Sequence, residues 1–271
     1  MRPNTLTLCA LLLATTTTLQ AQSFSTKPCP DHDDNGNTIT RWVGGNSDQA
    51  CELRSITLPL TNGRLNVQGM NGSIEVIGED RSDVYLEARV TARAHSQSDA
   101  QSLLHQVTIE TGSAIEAKGP RNSGQNNWSV SFHLRVPHHL AAELNTNNGS
   151  ISLAALDGTI KAETTNGSLK LDQLAGDIHV STTNGAIKAN LTGSAWQGSG
   201  LSARTTNGGV SVSVPHPYSA HLVASTTNGG TNINVPGVDM GNVHHHEIDT
   251  NLGSGGPTLT FETTNGGISI N

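Results

Sequence analysis

The chain has 271 residues, with 15 Lys and Arg against 22 Asp and Glu, which gives a formal net charge of −7. This acidic balance gives no sign of the basic face that nucleic-acid-binding proteins present, so no nucleic-acid partner is expected. Aromatic residues are only 3% of the sequence and glycine contributes 29 residues, which excludes an aromatic-rich core and favours many turns with little helix.

The first 21 residues have the pattern of a secretory signal peptide, with a basic start at Arg2, an apolar run over 6–14 and a cleavage site after Ala21. The apolar run is shorter than the roughly 20 residues that span a bilayer, and no later segment is apolar enough to anchor the mature chain. We therefore predict a secreted, periplasmic or cell-surface protein. Lipidation at Cys9 is the alternative. However, Cys9 lies inside the apolar run, whereas a lipoprotein signal is cut beside a small residue that follows the apolar run.

Two cysteines remain in the mature chain, Cys29 and Cys51, in a compartment where thiols can be oxidised. A disulfide between them would close a loop of 22 residues and stabilise the fold by roughly 3 kcal/mol in the chain-entropy model. Two unpaired thiols are the alternative. A zinc site is not expected, because the paired Cys and His spacings of such sites are missing.

The second half of the sequence is dominated by the motif Thr-Thr-Asn-Gly, preceded by a related Thr-Asn-Asn-Gly. The steps between the asparagines are 18, 18, 23, 21 and 37 residues, and the asparagines are Asn148, Asn166, Asn184, Asn207, Asn228 and Asn265. A second turn, Asp157-Gly158 or Ala175-Gly176, lies halfway through each regular repeat. Because Asn-Gly and Asp-Gly readily take the positive φ of tight turns, each half-repeat is predicted to be a strand followed by a turn.

Apolar and polar residues alternate between these turns, as in Ile151 and Leu153 or Leu169 and Leu171, which predicts strands with one inward face. The Asn-Gly turns could join antiparallel neighbours in a meander or sandwich, or form the corners of a stacked β-solenoid. The recurrence of one tetrapeptide at an 18-residue spacing favours the solenoid, because only stacking places like residues above each other and permits an asparagine ladder.

The first half is less regular. Residues 61–67 and 71–76 are predicted to open the stack, and 80–140 to form an elaboration of it. That elaboration should contain a strand over 83–92, a short helix over 98–105 capped by Ser96 or Ser98, and strands near 107–109, 115–117 and 128–136. Residues 22–54 are interpreted as an Asp/Asn-rich N-terminal segment, and 55–271 as one domain.

The repeated Thr-Thr-Asn-Gly units, each followed by Gly, Ser or Ala and alternating hydrophobic residues, carry a family resemblance over 55–271. They resemble the bacterial putative-adhesin domain of unknown function, which is related to the head domain of putative auto-transporter adhesins. The resemblance implies an all-β, right-handed β-helix or β-solenoid-like fold in an envelope or secreted protein. It implies no reaction, because that family has no established catalytic residues.

Two segments are candidates for metal sites. Residues 31–37 resemble the start of a calcium loop, but Trp42 stands where the closing Glu should be, so a solvated acidic linker fits better. The weak transition-metal candidates are His244, His245 and His246, with Glu247 and Asp249 nearby. Because adjacent residues in extended chain point to opposite faces, three consecutive His cannot share one ion without an irregular loop. We expect no cofactor and interpret the His segment as a surface loop.

A carbohydrate-active β-helix enzyme would need two carboxylates flanking a bond. The outward charges of the regular repeats are scattered and of mixed sign, namely Lys161, Glu163, Lys170, Asp172 and Lys188. The three tryptophans, Trp42, Trp128 and Trp196, could stack on sugars, but partial burial is the commoner role.

The sequence therefore favours a non-catalytic, putative adhesin-like scaffold or binding protein of the bacterial envelope, with an unidentified glycan or protein ligand. The alternatives are a carbohydrate-active or glycan-binding β-helix, and an envelope-stress accessory protein that binds a membrane partner. Because the chain ends inside a repeat at residues 267–271, an open strand edge is expected there, with self-association through that end.

Overall fold

The computed structural model describes residues 23–30, 48–238 and 244–271. The predicted leader, the calcium-like segment 31–37 and Trp42 lie outside the described residues. One helix is described, α1 (Gln97–Gln106), together with a 3₁₀ turn at Thr61–Gly63. The strands are β1 (Ser25–Pro28), β2 (Asp48–Pro59), β3 (Arg64–Asn71), β4 (Ile74–Glu79), β5 (Asp83–Ala94), β6 (Thr108–Thr111), β7 (Ile115–Lys118), β8 (Asn127–Pro137), β9 (His139–Asn148), β10 (Ile151–Ala154), β11 (Asp157–Asn166), β12 (Leu169–Asp172), β13 (Asp177–Asn184), β14 (Ile187–Asn190), β15 (Gly200–Asn207), β16 (Val210–Ser213), β17 (Ala220–Asn228), β18 (Thr231–Ile233), β19 (Glu247–Leu252), β20 (Thr258–Asn265) and β21 (Ile268–Ile270).

The strands form two sheets, one ordered β1-β2-β5-β8-β4-β10-β12-β14-β16-β21-β18 and the other β19-β17-β20-β15-β13-β11-β9-β3-β7-β6. A coil, meaning one full turn of the solenoid, places one strand in each sheet, joined at an Asn-Gly corner. The coils stack in parallel and in register, so that Leu169 lies between Ile151 and Ile187. The prediction of an all-β, solenoid-like stack is confirmed, and the parallel pairing excludes the antiparallel meander.

The core is a thin layer of aliphatic side chains between the two sheets. Alternate residues of each strand point inward and are buried, as with Ile151 and Leu153 of β10 or Leu169 and Leu171 of β12. Their neighbours along the strand, such as Lys170, face solvent. Small burials repeated coil after coil therefore replace the single thick core that this chain is too poor in aromatics to build.

Residues 48–137 extend both sheets at one end of the stack. β2, β5 and β8 continue the first sheet, so β2 runs across the interpreted segment boundary at residue 54. The predicted helix is present as α1, and the Ser96 hydroxyl accepts a hydrogen bond from the Asp99 amide at 3.2 Å. Arg54 donates to the carbonyl of Leu104 at 3.0 Å and also to that of Val107, which fastens the end of the helix to the sheet.

A ladder of asparagine side chains follows one corner of the stack. Each Nδ2 donates to the Oδ1 of the asparagine in the adjacent coil at 2.8–2.9 Å. The rungs, in stacking order, are Asn71, Asn148, Asn166, Asn184, Asn207, Asn265 and Asn228. Asn71 was missing from the ladder expected from the sequence, because Gly69-Met70-Asn71-Gly72 lacks the Thr-Thr signature.

The first threonine of each motif is buried beside the ladder. The hydroxyl of Thr164 donates to the carbonyl of Gly149 at 2.8 Å, and that of Thr182 donates to the carbonyl of Gly167 at the same distance. The second threonine of the motif points into solvent. The motif therefore satisfies a corner carbonyl that would otherwise lack a partner.

From Gly149 onward, the corner glycines are required by backbone proximity rather than by φ, whereas the first corner glycine, Gly72, also has a positive φ of 132°. A Cβ built on Gly167 would collide with the carbonyl oxygen of Gly149, and each following corner repeats this collision. Contrary to the expectation of positive φ at Asn-Gly, every ladder asparagine keeps φ outside the positive range. Positive φ occurs at the second turn instead, where Gly158 has φ 119° and Gly176 has φ 105°.

The last two coils stack in reverse chain order, so the expectation of an open C-terminal edge was wrong. β20 lies between β15 and β17, and β21 lies between β16 and β18. Side-chain volume accounts for this order, because the large Phe261 sits between Ala203 and Ala224 in the flanking coils. The 37-residue step between Asn228 and Asn265 holds β19, which returns antiparallel along β17.

The proximity of the corner backbones predicts that Gly167→Ala lowers the free energy of unfolding by about 1–3 kcal/mol, because the new methyl group forces adjacent coils apart. Gly112→Ala is the matched control, since no atom lies within 4 Å of a Cβ at that position. Its effect should stay within about 0.5 kcal/mol. Urea denaturation followed by circular dichroism measures both variants, and equal stabilities would contradict the proximity argument.

The threonine contact predicts that Thr182→Val costs about 1–3 kcal/mol, because a methyl group replaces the donor and leaves the Gly167 carbonyl unpaired inside the stack. Thr183→Val is the control, because that neighbouring side chain is exposed. The control should change the free energy of unfolding by no more than about 0.5 kcal/mol in the same assay. An equal loss in the two variants would assign the effect to strand propensity instead.

Candidate binding surface

Cys29 and Cys51 are joined by a disulfide, with their Cα atoms 5.6 Å apart. The bond ties the chain just after β1 to the edge of β2, along which β1 runs antiparallel. Lys27 adds an ion pair to Glu87 of β5 at 3.2 Å. The two cysteines expected to pair are therefore adjacent, and their bond is of the kind that persists in oxidising compartments.

The three histidines that are candidate metal ligands lie beside the last coil, and the backbone carbonyls of two of them accept hydrogen bonds from its backbone amides. The carbonyl of His246 accepts from the Thr226 amide at 2.9 Å, and that of His245 accepts from the Thr231 amide at 2.8 Å. The rings of His245 and His246 meet edge to face, with centroids 4.5 Å apart. Within the described part of the chain, no group of three or more His, Cys, Asp or Glu is placed to share a metal ion.

The two described tryptophans are buried and not displayed on the surface. Trp128 is 7% exposed and its indole N–H donates to the Pro120 carbonyl at 2.6 Å. Trp196 is 4% exposed and donates to the Gly176 carbonyl at 3.1 Å. Both indole rings therefore belong to the packed interior, and neither is displayed for stacking on a sugar.

The outward charges of the coils pair along the sheet. Lys161 contacts Glu163 at 3.1 Å, and Arg204 of β15 contacts Glu262 of the adjacent β20 at 2.7 Å. Lys170 and Lys188 lie side by side in register on the other sheet, and Asp172 lies beside Asn190. Exposed pairs of this kind contribute little to stability, and these groups are spread along the stack rather than gathered at one point.

A cleft of about 700 Å³ opens at the end of the stack where the regular coils give way to the elaboration. Its floor is aliphatic and is built by Leu58, Leu65, Val84 and Ile115, which come from four different strands. Its rim is polar and contains both signs of charge, with the side chains of Arg64, Glu143 and Lys161. The volume lies within the range of about 300–1,000 Å³ that is typical of ligand pockets.

One wall of the cleft is an incompletely paired strand. β3 pairs with β9 from Arg64 to Asn71, but its other edge pairs with β7 only at Val67 and Gln68. Residues 64–66 therefore have a sheet neighbour on one side and the cleft on the other. Here the Asn66 side chain holds a buried Oδ1 that has no hydrogen-bond partner among the described residues. Buried polar atoms are normally paired, so this oxygen marks a place where a donor is missing.

The opposite wall is the turn of the β6–β7 hairpin, residues 112–114. Lys118 bridges the two strands of this hairpin, with its Nζ 2.6 Å from Glu110 and 3.1 Å from Glu116. The hydrogen bonds to Glu110 and Glu116 raise the pKa of the Lys118 amine. No local sequence pattern indicates the cleft, because its walls come from segments that lie far apart in the chain.

Within residues 23–30, 48–238 and 244–271, no helix combines the length and the hydropathy needed to cross a bilayer. Comparison with curated proteins finds no match. Among solved structures, the chain is similar to a putative cell adhesion protein from Clostridium sporogenes, at 14% identity and a TM-score of 0.39 over 82% of this chain and 99% of that one.

A putative adhesin from Bacteroides fragilis is 9% identical, with a TM-score of 0.41 over 81% of this chain and 97% of the other. A putative lipid binding protein from Parabacteroides distasonis is 11% identical, with a TM-score of 0.28 over 84% and 97%. At these TM-scores, the likenesses do not bear on the ligand of this chain.

The family comparison, in contrast, assigns the chain. Residues 56–271 match the family described as Toastrack DUF4097, and the match covers the stack, its elaboration and the cleft. The resemblance to the putative-adhesin domain of unknown function is confirmed at the level of family. The chain belongs to the Toastrack DUF4097 family.

Proposed function

We propose that the protein is an exported, non-catalytic binding scaffold of the bacterial cell envelope, whose ligand is an envelope or surface glycan or protein. The observation that carries this proposal is the cleft at the end of the stack, which combines an aliphatic floor, a rim of both charges and an incompletely paired strand. Convergent polar groups over an apolar floor are the general form of a binding site.

The chemistry of the lining favours holding a ligand over cleaving it. Glu143 is the one carboxylate among the residues that line the cleft, and Arg64 and Lys161 share the rim with it. Hydrolysis of a glycosidic bond ordinarily uses two carboxyl groups about 5–9.5 Å apart. The lining therefore supports the scaffold over the carbohydrate-active alternative.

Export is supported by the predicted leader and by the disulfide between Cys29 and Cys51. If the protein is exported, both thiols of the full-length protein isolated from its natural host should resist alkylation until a reductant is added. Cys29→Ser should lower the free energy of unfolding by roughly 3 kcal/mol, because the 22-residue loop is no longer closed. Free thiols in the native secreted protein, measured by mass spectrometry after alkylation, would count against this part of the proposal.

Binding without catalysis predicts that ligands are retained intact. The purified secreted protein is incubated with an oligosaccharide array and with isolated envelope proteins, and the captured molecules are then analysed by mass spectrometry. We expect at least one of them to be held in saturable form with its mass unchanged. Shortened or unsaturated oligosaccharides would instead establish the carbohydrate-active enzyme.

A further inference from the structure

We propose that the cleft binds an extended peptide segment of a second protein, which pairs as a strand with the open edge of β3 at residues 64–66. This inference deepens the proposed binding role and rests on it, because it names the class of ligand and its place.

The backbone of β3 is the first reason. The regular coils pair on both sides, whereas residues 64–66 of β3 pair with β9 alone, since β7 reaches only Val67 and Gln68. An added strand at residues 64–66 would continue the line of β7 in the same sheet. A peptide backbone supplies alternating N–H and C=O groups at the spacing that such an edge requires, which is the basis of β-strand addition.

The aliphatic floor of the cleft and the side chain of Asn66 determine which residues a bound peptide segment should contain. Leu58, Leu65, Val84 and Ile115 make the floor aliphatic, so it suits one aliphatic side chain pointing inward from the bound strand. The side chain of Asn66 lies in the same wall, but its Oδ1 is buried, so a peptide N–H would reach this unpaired oxygen only if the side chain turned towards the cleft. A sugar ring suits this floor less well than an aliphatic side chain, because it would place many hydroxyl groups against an aliphatic surface.

The rim adds a preference for charge. Arg64 is exposed and forms no ion pair with any residue that the structure describes, whereas Lys161 is already paired with Glu163 at 3.1 Å. A carboxylate beside the aliphatic anchor would therefore meet Arg64 at the rim. The expected segment is extended, with one aliphatic residue flanked by Asp or Glu.

A second copy of this chain is the less suitable occupant. Its C-terminal strand β21 is already paired on both sides, with β16 and β18, and β18, which lies at the edge of that sheet, has only three residues to offer. We therefore assign the cleft to a segment of another protein. Self-association through the cleft is one of the outcomes that the experiment distinguishes.

The test uses a phage-displayed library of random nonapeptides selected on the purified secreted protein. An enriched peptide is then synthesised, and its dissociation constant is measured by fluorescence anisotropy. We expect enriched sequences with an aliphatic residue next to Asp or Glu, and slower hydrogen exchange at residues 64–66 when the peptide is bound. Ser113→Trp should weaken binding at least tenfold, because the indole fills the cleft from the hairpin turn.

Two control variants separate occupation of the cleft from general effects. Ser123→Trp places the same ring on an exposed turn that does not line the cleft, and binding should change less than twofold. Arg64→Glu should weaken an acidic peptide about fivefold, whereas Arg121→Glu, with the same change in net charge at an exposed position away from the cleft, should not.

Several outcomes would overturn the inference. These are a library that enriches no peptide, an enriched peptide whose affinity is the same for Ser113→Trp, a glycan whose binding is lost in that variant, or a dimer of the wild-type protein that the variant abolishes. If intact ligands are retained but no peptide binds the cleft, the inference fails and the scaffold proposal stands. If ligands are converted to products, the scaffold proposal fails whatever the peptides do.

Discussion

The close approach of backbones at the Asn-Gly corner is the constraint on which the rest of the structure depends. At each corner a glycine passes so near the carbonyl of the glycine in the adjacent coil that no Cβ fits between them, as with Gly149 and Gly167. That proximity brings successive asparagine amides to 2.8–2.9 Å and lets the buried threonine hydroxyl reach the glycine carbonyl. One tetrapeptide thus permits the stacking, satisfies the corner backbone and links neighbouring coils. The interactions reinforce each other, because any of them requires the spacing that the others maintain.

The corners hold successive coils in register, and this register determines which side chains stack above each other in the interior. Because like positions stack directly, the side chains of each inward column have to share a fixed space, and volumes compensate between coils rather than along a strand. Phe261 between Ala203 and Ala224 shows this compensation, and at the other end Phe132 has a small neighbour on one side, Ala88. Such compensation explains how a chain with so few aromatic residues closes its core. It also explains why the C-terminal coil lies inside the stack, where its phenylalanine has small neighbours on both sides.

The repeat made much of this fold predictable. Local signals sufficed for the strand halves, the corner positions and the helix with its Ser96 cap, since each depends on residues a few positions apart. The order of the last two coils was not predictable in this way, because the motifs at Asn228 and Asn265 are alike and only the inward volumes of distant strands distinguish them. Asn71 was missed because its corner keeps the Asn-Gly pair while Gly69 replaces the buried threonine. The cleft was missed because its walls are brought together only by the folded elaboration.

The position of the cleft follows from a mismatch in strand length. In the regular coils each strand has parallel neighbours on both sides, so backbone groups are occupied and a ligand meets side chains alone. At the end of the stack, the eight-residue β3 is followed in its sheet by the four-residue β7, which pairs with two of its residues. Residues 64–66 of β3 are left beside the aliphatic floor, and the Asn66 oxygen is left without a donor among the described residues. In the proposed mode of binding, a peptide therefore meets unpaired backbone groups at the place where the regular repeat ends.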